Sequence, residues 1–388
     1  MSIYIHIPFC ISKCAYCDFF SKADYGKNIP DSYIDALCNE ISFRFSQYDI
    51  KNTETVYVGG GTPSLLSGKQ IQRIFDKIKK SSVLKPDAEI SFEVNPDDIN
   101  KELLENLGAA GVNRISCGIQ TMNDKALKAA CRRADEKTNQ KALELLSSHW
   151  KKELSIDLIS GLPYDNEETI KNNLDQVCSV NPDHISFYSL TIEEETPFGK
   201  KLNSGELSYD FDFADKLWLY GRDYLEEKGY GWYEVSNFSK PGKECRHNLR
   251  YWNHQDYLGC GSGASGTIYF ENGEGIRWTN TRNIKEYTDF WTDASNTKKG
   301  LPQNSEKIDF ETSEFEFFMM GLRKLKGIKE KDFIRIFDKD LPKKFLQLFE
   351  KWEGKGLCVR RGSESAGFDY AMSREGILFL NRFLEELF

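Results

Sequence analysis

No stretch of this 388-residue chain approaches the roughly 18 consecutive apolar residues that a membrane span requires. Met1 leads straight into "SIYIHIPF", with neither a basic segment nor a cleavable apolar one, so the cytoplasm is the expected compartment. Excess positive charge is missing too: the formal net charge is −8 at pH 7, which argues against a phosphate-tracking surface. "KIKK" (Lys77 to Lys80) and the lysines around Lys343 read as solvated helix faces, and nucleic acid is not an expected partner. The chain has no solenoid-type repeat, no low-complexity segment and no Gly-Lys-Ser/Thr to complete a P-loop.

What the chain does have is thiols and an alternating pattern. Ten cysteines without an export signal belong in a reducing compartment, where clustered thiols mean metal or catalysis more often than disulfides. Cys38, Cys178 and Cys358 read as ordinary buried thiols. Six β-rich runs ("IYIHIPF", "TVYVGGG", "EISFEVNP", "RISCGIQ", "SIDLISGLP", "HISFYSLTI") are separated by segments of helical periodicity. The alternation predicts an α/β fold with an incomplete (β/α)6 barrel over residues 1–200. Ser67 with Gln70, and Asp165 with Glu168, match capping boxes that start two of the helices. Residues 201–299 form a glycine- and aromatic-rich region without that alternation, and 300–388 predict a mainly helical or winged-helix-like domain. One core rarely serves a chain beyond about 300 residues, so a second domain is expected.

Parallel barrels place their chemistry at the C-terminal ends of the strands. The first such end carries "CISKCAYCDFF": Cys10, Cys14 and Cys17, with Phe19 where a fourth cysteine might have stood. A closed zinc site wants four ligands, and no Cys or His follows Cys17 at finger-like spacing. A cubane iron–sulfur cluster on three thiolates instead leaves one iron open to an exchangeable ligand. At the second end, Gly59 to Gly61 let backbone approach a ligand closely, although a plain strand-to-helix turn would use the same glycines. Glu93, closing its strand, can accept from a ligand hydroxyl; Gln120, Arg132 and Asp157 supply further polar contacts, or take part in ordinary surface ion pairs. Tyr4 and Tyr16 either flank the site or pack in the core.

"CISKCAYC" is the C-x3-C-x2-C signature of radical S-adenosylmethionine (SAM) proteins, and "GGGTPS", "FEVNP", "RISCGIQ" and "IDLISGLP" resemble that superfamily's SAM-contacting strand ends, in order. The resemblance implies a [4Fe-4S] cluster on Cys10, Cys14 and Cys17, fed by an electron donor. It also implies SAM held by Tyr4, Tyr16, Gly60, Gly61, Thr62, Glu93, Gln120, Arg132 and Asp157.

Within the superfamily the chain resembles the group of oxygen-independent coproporphyrinogen III dehydrogenases and HemW-type haem chaperones. The dehydrogenase pattern continues to a fourth cysteine and carries an N-terminal extension; this chain has Phe19 and almost no residues before its first strand. "HNLRYW", His247 to Trp252, is the H-N-x-x-Y-W motif of the chaperones, and "YEVSNF" and "ECRHN" match the same group. This second resemblance implies haem as cargo, passed to an acceptor protein of unknown identity, and no dehydrogenase activity; a homodimer is left open. The alternatives are coproporphyrinogen III oxidative decarboxylation or another radical SAM reaction, or an iron–sulfur protein that has lost SAM chemistry. On chemistry alone, His247 offers an imidazole for axial ligation, and Tyr251 and Trp252 offer apolar faces with polar tips. His254, His184, His6, Cys245 and Cys260 are weaker candidates for the iron. Cys131, Ala134 and Ser265 stand where family members usually have Gly, His and His.

Overall fold

The computed structural model describes residues 1–23, 25–26, 28–293, 296, 300–363 and 367–388. Six strands carry the first half of the chain: β1 (Ser2–Ile7), β2 (Asn52–Gly60), β3 (Val83–Val94), β4 (Arg114–Gln120), β5 (Glu153–Ser160) and β6 (His184–Ser189). Each pairs in parallel with its successor. Parallel neighbours need long crossovers, and helices such as Asp31–Gln47, Gly68–Ser81 and Glu167–Ser179 supply them. The expected six-unit α/β barrel is present and incomplete: no pairing joins β6 back to β1.

Residues 201–299 read in sequence as lacking regular elements, yet they supply five strands to the same sheet. These are β7 (Gly231–Glu234), β8 (Asn237–Ser239), β9 (Tyr257–Cys260), β10 (Ser265–Tyr269) and β11 (Gly275–Asn280), with β12 (Gln303–Ile308) following. β8 pairs antiparallel with β6, and β9 pairs parallel with β1. These strands are three to six residues long, too short for a period to show. The expected boundary at residue 299 lies outside the described residues.

Beyond β12 come a helix, Phe310–Gly321, then β13 (Ile328–Lys329), helices Glu330–Phe337 and Lys343–Glu353, and β14 (Cys358–Ser363) and β15 (Gly367–Met372). The sheet order is β13-β15-β14, so the mainly helical or winged-helix-like region expected from the sequence has helices with a small three-stranded sheet. Its centre is aromatic, with Phe318 and Phe345 stacked at 4.4 Å.

Alternation along the barrel strands sorts the two faces. Ile3, Ile5, Ile7, Val56, Val58, Ile115, Cys117, Ile156 and Ile185 are fully buried in the hydrophobic core. The opposite face presents Tyr57, Glu93, Arg114, Ser116, Ser155, Asp157, His184 and Ser186 to an internal cavity. A barrel packed for stability alone fills its centre with branched apolar side chains, so this polar well is the first structural sign of a ligand.

Of the two expected capping boxes, the first forms: Ser67 Oγ accepts from Gln70 N, and Gln70 Oε1 from Ser67 N. The second is displaced by one residue. Asp165 Oδ2 accepts from Leu162 N at 2.9 Å and closes the preceding turn, so Asn166 caps the helix, paired with Thr169.

Candidate functional site

The well has a volume of about 390 Å³ and opens at the C-terminal ends of the strands, where Cys10, Cys14 and Cys17 line it. The cysteine loop is tied down by its backbone. Cys10 N donates to Lys22 O and Lys22 N to Pro8 O, while Ala15 N donates to Ala130 O and receives Phe198 N at its own carbonyl. All three thiols are free, Cys10 buried and the other two part-exposed. Thr62 Oγ1 lies 3.4 Å from Cys10 Sγ, and Arg132 Nη1 lies 3.6 Å from Cys14 Sγ. Phe19, in the place of a fourth cysteine, is 72% exposed. Among the described residues no three His, Cys, Asp or Glu side chains converge on a single ion position. A lone zinc would need that convergence; cubane ligands each hold a different iron and spread around the cluster, so this donor set fits the cubane better.

At the next strand end the glycines are imposed by their neighbours. A Cβ on Gly59 would sit 2.8 Å from Glu93 Oε1, and one on Gly60, whose φ is +118°, would sit 2.6 Å from the His6 ring. Backbone therefore lies directly against the acid. Gly60 N and Tyr57 Oη both donate to Glu93, at 3.1 and 2.9 Å. Burial pushes the Glu93 carboxyl up to about 7 against those two bonds, and nearby Asp157 adds to the rise. Asp157 is also raised by burial, and Ser116 Oγ donates to both its oxygens, at 3.0 and 2.8 Å. Arg132 Nη2 donates to Gly118 O at 2.6 Å, and Gln120, at φ +67°, ends β4 over the well.

Tyr16, Gly60, Gly61, Thr62, Glu93, Gln120, Arg132 and Asp157 all line this one cavity with the three cysteines. Tyr4 does not line it; its hydroxyl is bonded to His6 Nδ1 at 3.0 Å, and its ring stacks on Tyr57. Sequence reasoning missed the lower wall, Asn95, Arg114, Ser116, Ser155, Ser186, Tyr188 and Asn248, and singled out its His184 and Cys245 only as candidates for the haem iron. The available signal was the polar member of each alternating pair, as in "RISCGIQ", where Arg114, Ser116 and Gly118 share one face.

The H-N-x-x-Y-W residues occupy a short helix, Arg246–Trp252, beneath the well. Glu89 fixes its start by accepting from Arg246 N and His247 N, at 2.8 and 2.9 Å. Cys245 and Asn248 line the cavity, but His247 does not. His247 is 1% exposed, with Nδ1 bonded to Thr55 Oγ1 and Nε2 to Tyr251 Oη, each at 2.8 Å. Burial, helped by the Arg250 cation, lowers it to about 3, so it is neutral. Tyr251 and Trp252 are half-buried. Of the other histidines, His184 and His6 are committed at both nitrogens, whereas His254 Nδ1 is buried without a partner. His184 bonds Ser155 and Tyr233, His6 bonds Tyr4 and Phe20 O, and His254 bonds Ser313 and stacks on Tyr269 at 3.8 Å. Burial raises the Cys245 and Cys260 thiols, which disfavours thiolate in either.

Residues 4–177 match the family model of the Radical SAM superfamily. In shape the chain is similar to coproporphyrinogen III oxidase (HemN) from Escherichia coli, described as a radical SAM enzyme. That likeness has a TM-score of 0.81 at 22% identity over 100% of this chain and 89% of that one, and concerns the fold alone. The family match, which includes the cysteine loop, makes this a radical SAM protein. The chain is 36% identical to the heme chaperone HemW of Escherichia coli K12 over 335 residues, 86% of this chain and 85% of that one. It is 33% identical to HemW of Bacillus subtilis 168 over 395 residues, 100% of both. The chain belongs to the HemW family of heme chaperones.

Proposed function

We propose that this protein binds haem and passes it to an acceptor protein, with a [4Fe-4S] cluster on Cys10, Cys14 and Cys17 and SAM beside it. The observation that carries the reading is the gathering of three free thiols and eight of the nine expected SAM contacts around one polar well, in a chain of the HemW family. When bound, a cluster on three thiolates supplies one iron open to an exchangeable ligand, reduced by an external electron donor. The chain's own groups do the rest. Tyr57 and Gly60 N aim the Glu93 carboxylate into the well, where it accepts from ribose hydroxyls. Arg132 is anchored on Gly118 O with its charge beside Cys14, and Thr62 steadies Cys10.

In this proposal His247, Tyr251 and Trp252 are the haem contacts. Because both His247 nitrogens are committed, ligation requires Tyr251 or Thr55 to release the imidazole.

The test is anaerobic reconstitution followed by iron and sulfide counts, haem titration and a coproporphyrinogen III turnover assay on one sample. About four irons per chain, haem binding and no turnover are expected. Cys14→Ala loses the cluster, whereas Cys38→Ala, whose thiol points to Arg73 O, keeps it. Steady turnover without haem binding favours the dehydrogenase instead.

A further inference from the structure

Trp252 ends its helix against a turn that places two cations side by side. Arg323 Cζ stands 4.6 Å from the centre of the indole ring. The next residue, Lys324, donates through Nζ to Asn253 Oδ1. The turn is fixed rather than loose: Val235 N donates to Arg323 O, Leu325 N donates to Tyr233 O, and the backbones of Lys324 and Glu234 pair in an antiparallel β-bridge.

These groups are short of acceptors. Among the described residues neither Arg323 nor Lys324 forms an ion pair, and Arg323 Nε and Trp252 Nε1 are buried with no hydrogen-bond partner. The nearby Glu234 carboxylate accepts from Asn237 Nδ2 and Ser236 N, both at Oε1, and meets the Arg323 charge at longer range, not in an ion pair. Burial lowers the Lys324 ammonium to about 8, and the Asp332 and Asp369 carboxylates offset that only in part. Two buried donors without acceptors, on Arg323 and Trp252, beside two neighbouring cations that form no ion pair among the described residues, describe a place that takes negative charge.

We propose that Arg323 and Lys324, set against Trp252, bind the carboxylate groups of haem. This rests on haem being the cargo, as argued above. Haem carries two carboxylates on one edge of a flat apolar ring. A guanidinium fork takes one carboxylate through paired N–H bonds, an ammonium takes the second, and the indole offers apolar surface with one N–H donor beside them. The proposal concerns recognition of the cargo's edge and is independent of which atom ligates the iron.

The experiment titrates haem and haem dimethyl ester, which lacks both charges, into the reconstituted full-length protein by Soret absorbance. The unmodified protein is expected to bind haem about tenfold or more tighter than the ester. The double variant Arg323→Gln, Lys324→Gln is expected to lose that preference while binding the ester as the unmodified protein does. Equal affinity of the unmodified protein for haem and ester overturns the proposal whether or not the variant folds. So does a variant with unchanged haem affinity and a lowered melting temperature, which assigns both cations to the helix end. No haem binding by the unmodified protein fails the chaperone reading itself, a result distinct from the other two.

Discussion

Glu93 shows how a single carboxyl can be set for ligand binding. It keeps its place through bonds from Tyr57 and Gly60 N, yet burial and Asp157 push it up to about 7. A ribose hydroxyl donates best to the ionised form, so SAM affinity is expected to fall as pH drops from 8 to 6. In Glu93→Gln the affinity is expected to be lower by about tenfold at pH 8 and nearly flat with pH. Calorimetric titration at three pH values reads both. A wild-type affinity that does not move across that range removes Glu93 from the ribose. His247 works in the opposite sense. Its folded value near 3 lies below the ordinary 6.5, so the unfolded chain takes up a proton that the native chain refuses between those values. Its stabilising contribution is complete above about pH 6.5 and is lost as the medium is acidified toward 3. His247→Gln breaks the bonds to Thr55 and Tyr251 and is expected to cost about 1–3 kcal/mol at pH 7.5. The melting-temperature gap between wild type and variant should shrink on acidification to pH 5; a constant gap would mean that this imidazole is not neutral in the fold.

The strand-end glycines set the geometry of the mouth. Gly60 combines φ +118° with the His6 ring against the position a Cβ would take, and its N–H holds Glu93. Gly60→Ala is therefore strained and crowded at once, at an expected cost of about 2–4 kcal/mol. Melting curves measure that cost, and the same sample should bind SAM weakly because Glu93 has lost its anchor. A variant as stable as wild type would show that the end of β2 shifts freely away from His6. These elements were legible in the sequence because parallel strands buried on one face leave runs such as "RISCGIQ", and the cysteine spacing is local to one loop. What was not legible depends on contacts far apart in the chain. That Gly59 and Gly60 are demanded by Glu93 and His6, that β9 pairs with β1, and that His247 is locked to Thr55 are pairings across 34 to 255 residues, with no local signature. The shift from Asp165 to Asn166 as a cap is a smaller case, decided by whether Asp165 serves its own turn or the helix.

The whole molecule joins a polar well to a C-terminal region of helices and a small sheet, and a largely shielded ion pair spans the junction. Arg277 on β11 holds Glu316, on the first helix of the C-terminal domain, through two parallel bonds of 2.7 and 2.8 Å; Tyr269 Oη adds a third at 3.0 Å. The Glu316 side chain is 7% exposed and that of Arg277 25%, so the pair is shielded from salt far better than the surface pairs elsewhere. Beside it His254 stacks on Tyr269 and touches Phe317 and Phe337, which links the end of the H-N-x-x-Y-W segment to the same domain. Glu316→Ala leaves Arg277 with the bond from Nε to Thr267 Oγ1 at 3.0 Å and the longer, exposed contact to Glu306 at 3.4 Å. Removing one partner of a buried pair costs about 3–5 kcal/mol, less here because Arg277 reaches solvent. The loss is expected to be local. Hydrogen exchange should rise across Phe310–Gly321 and Glu330–Phe337, while exchange in β1 to β6 and the iron content of the reconstituted protein stay at wild-type values, since the side-chain partners of Glu316 lie on β10 and β11. If exchange rises equally in the barrel, the two halves unfold as one unit, and haem held at the Trp252 turn is then coupled directly to the state of the well.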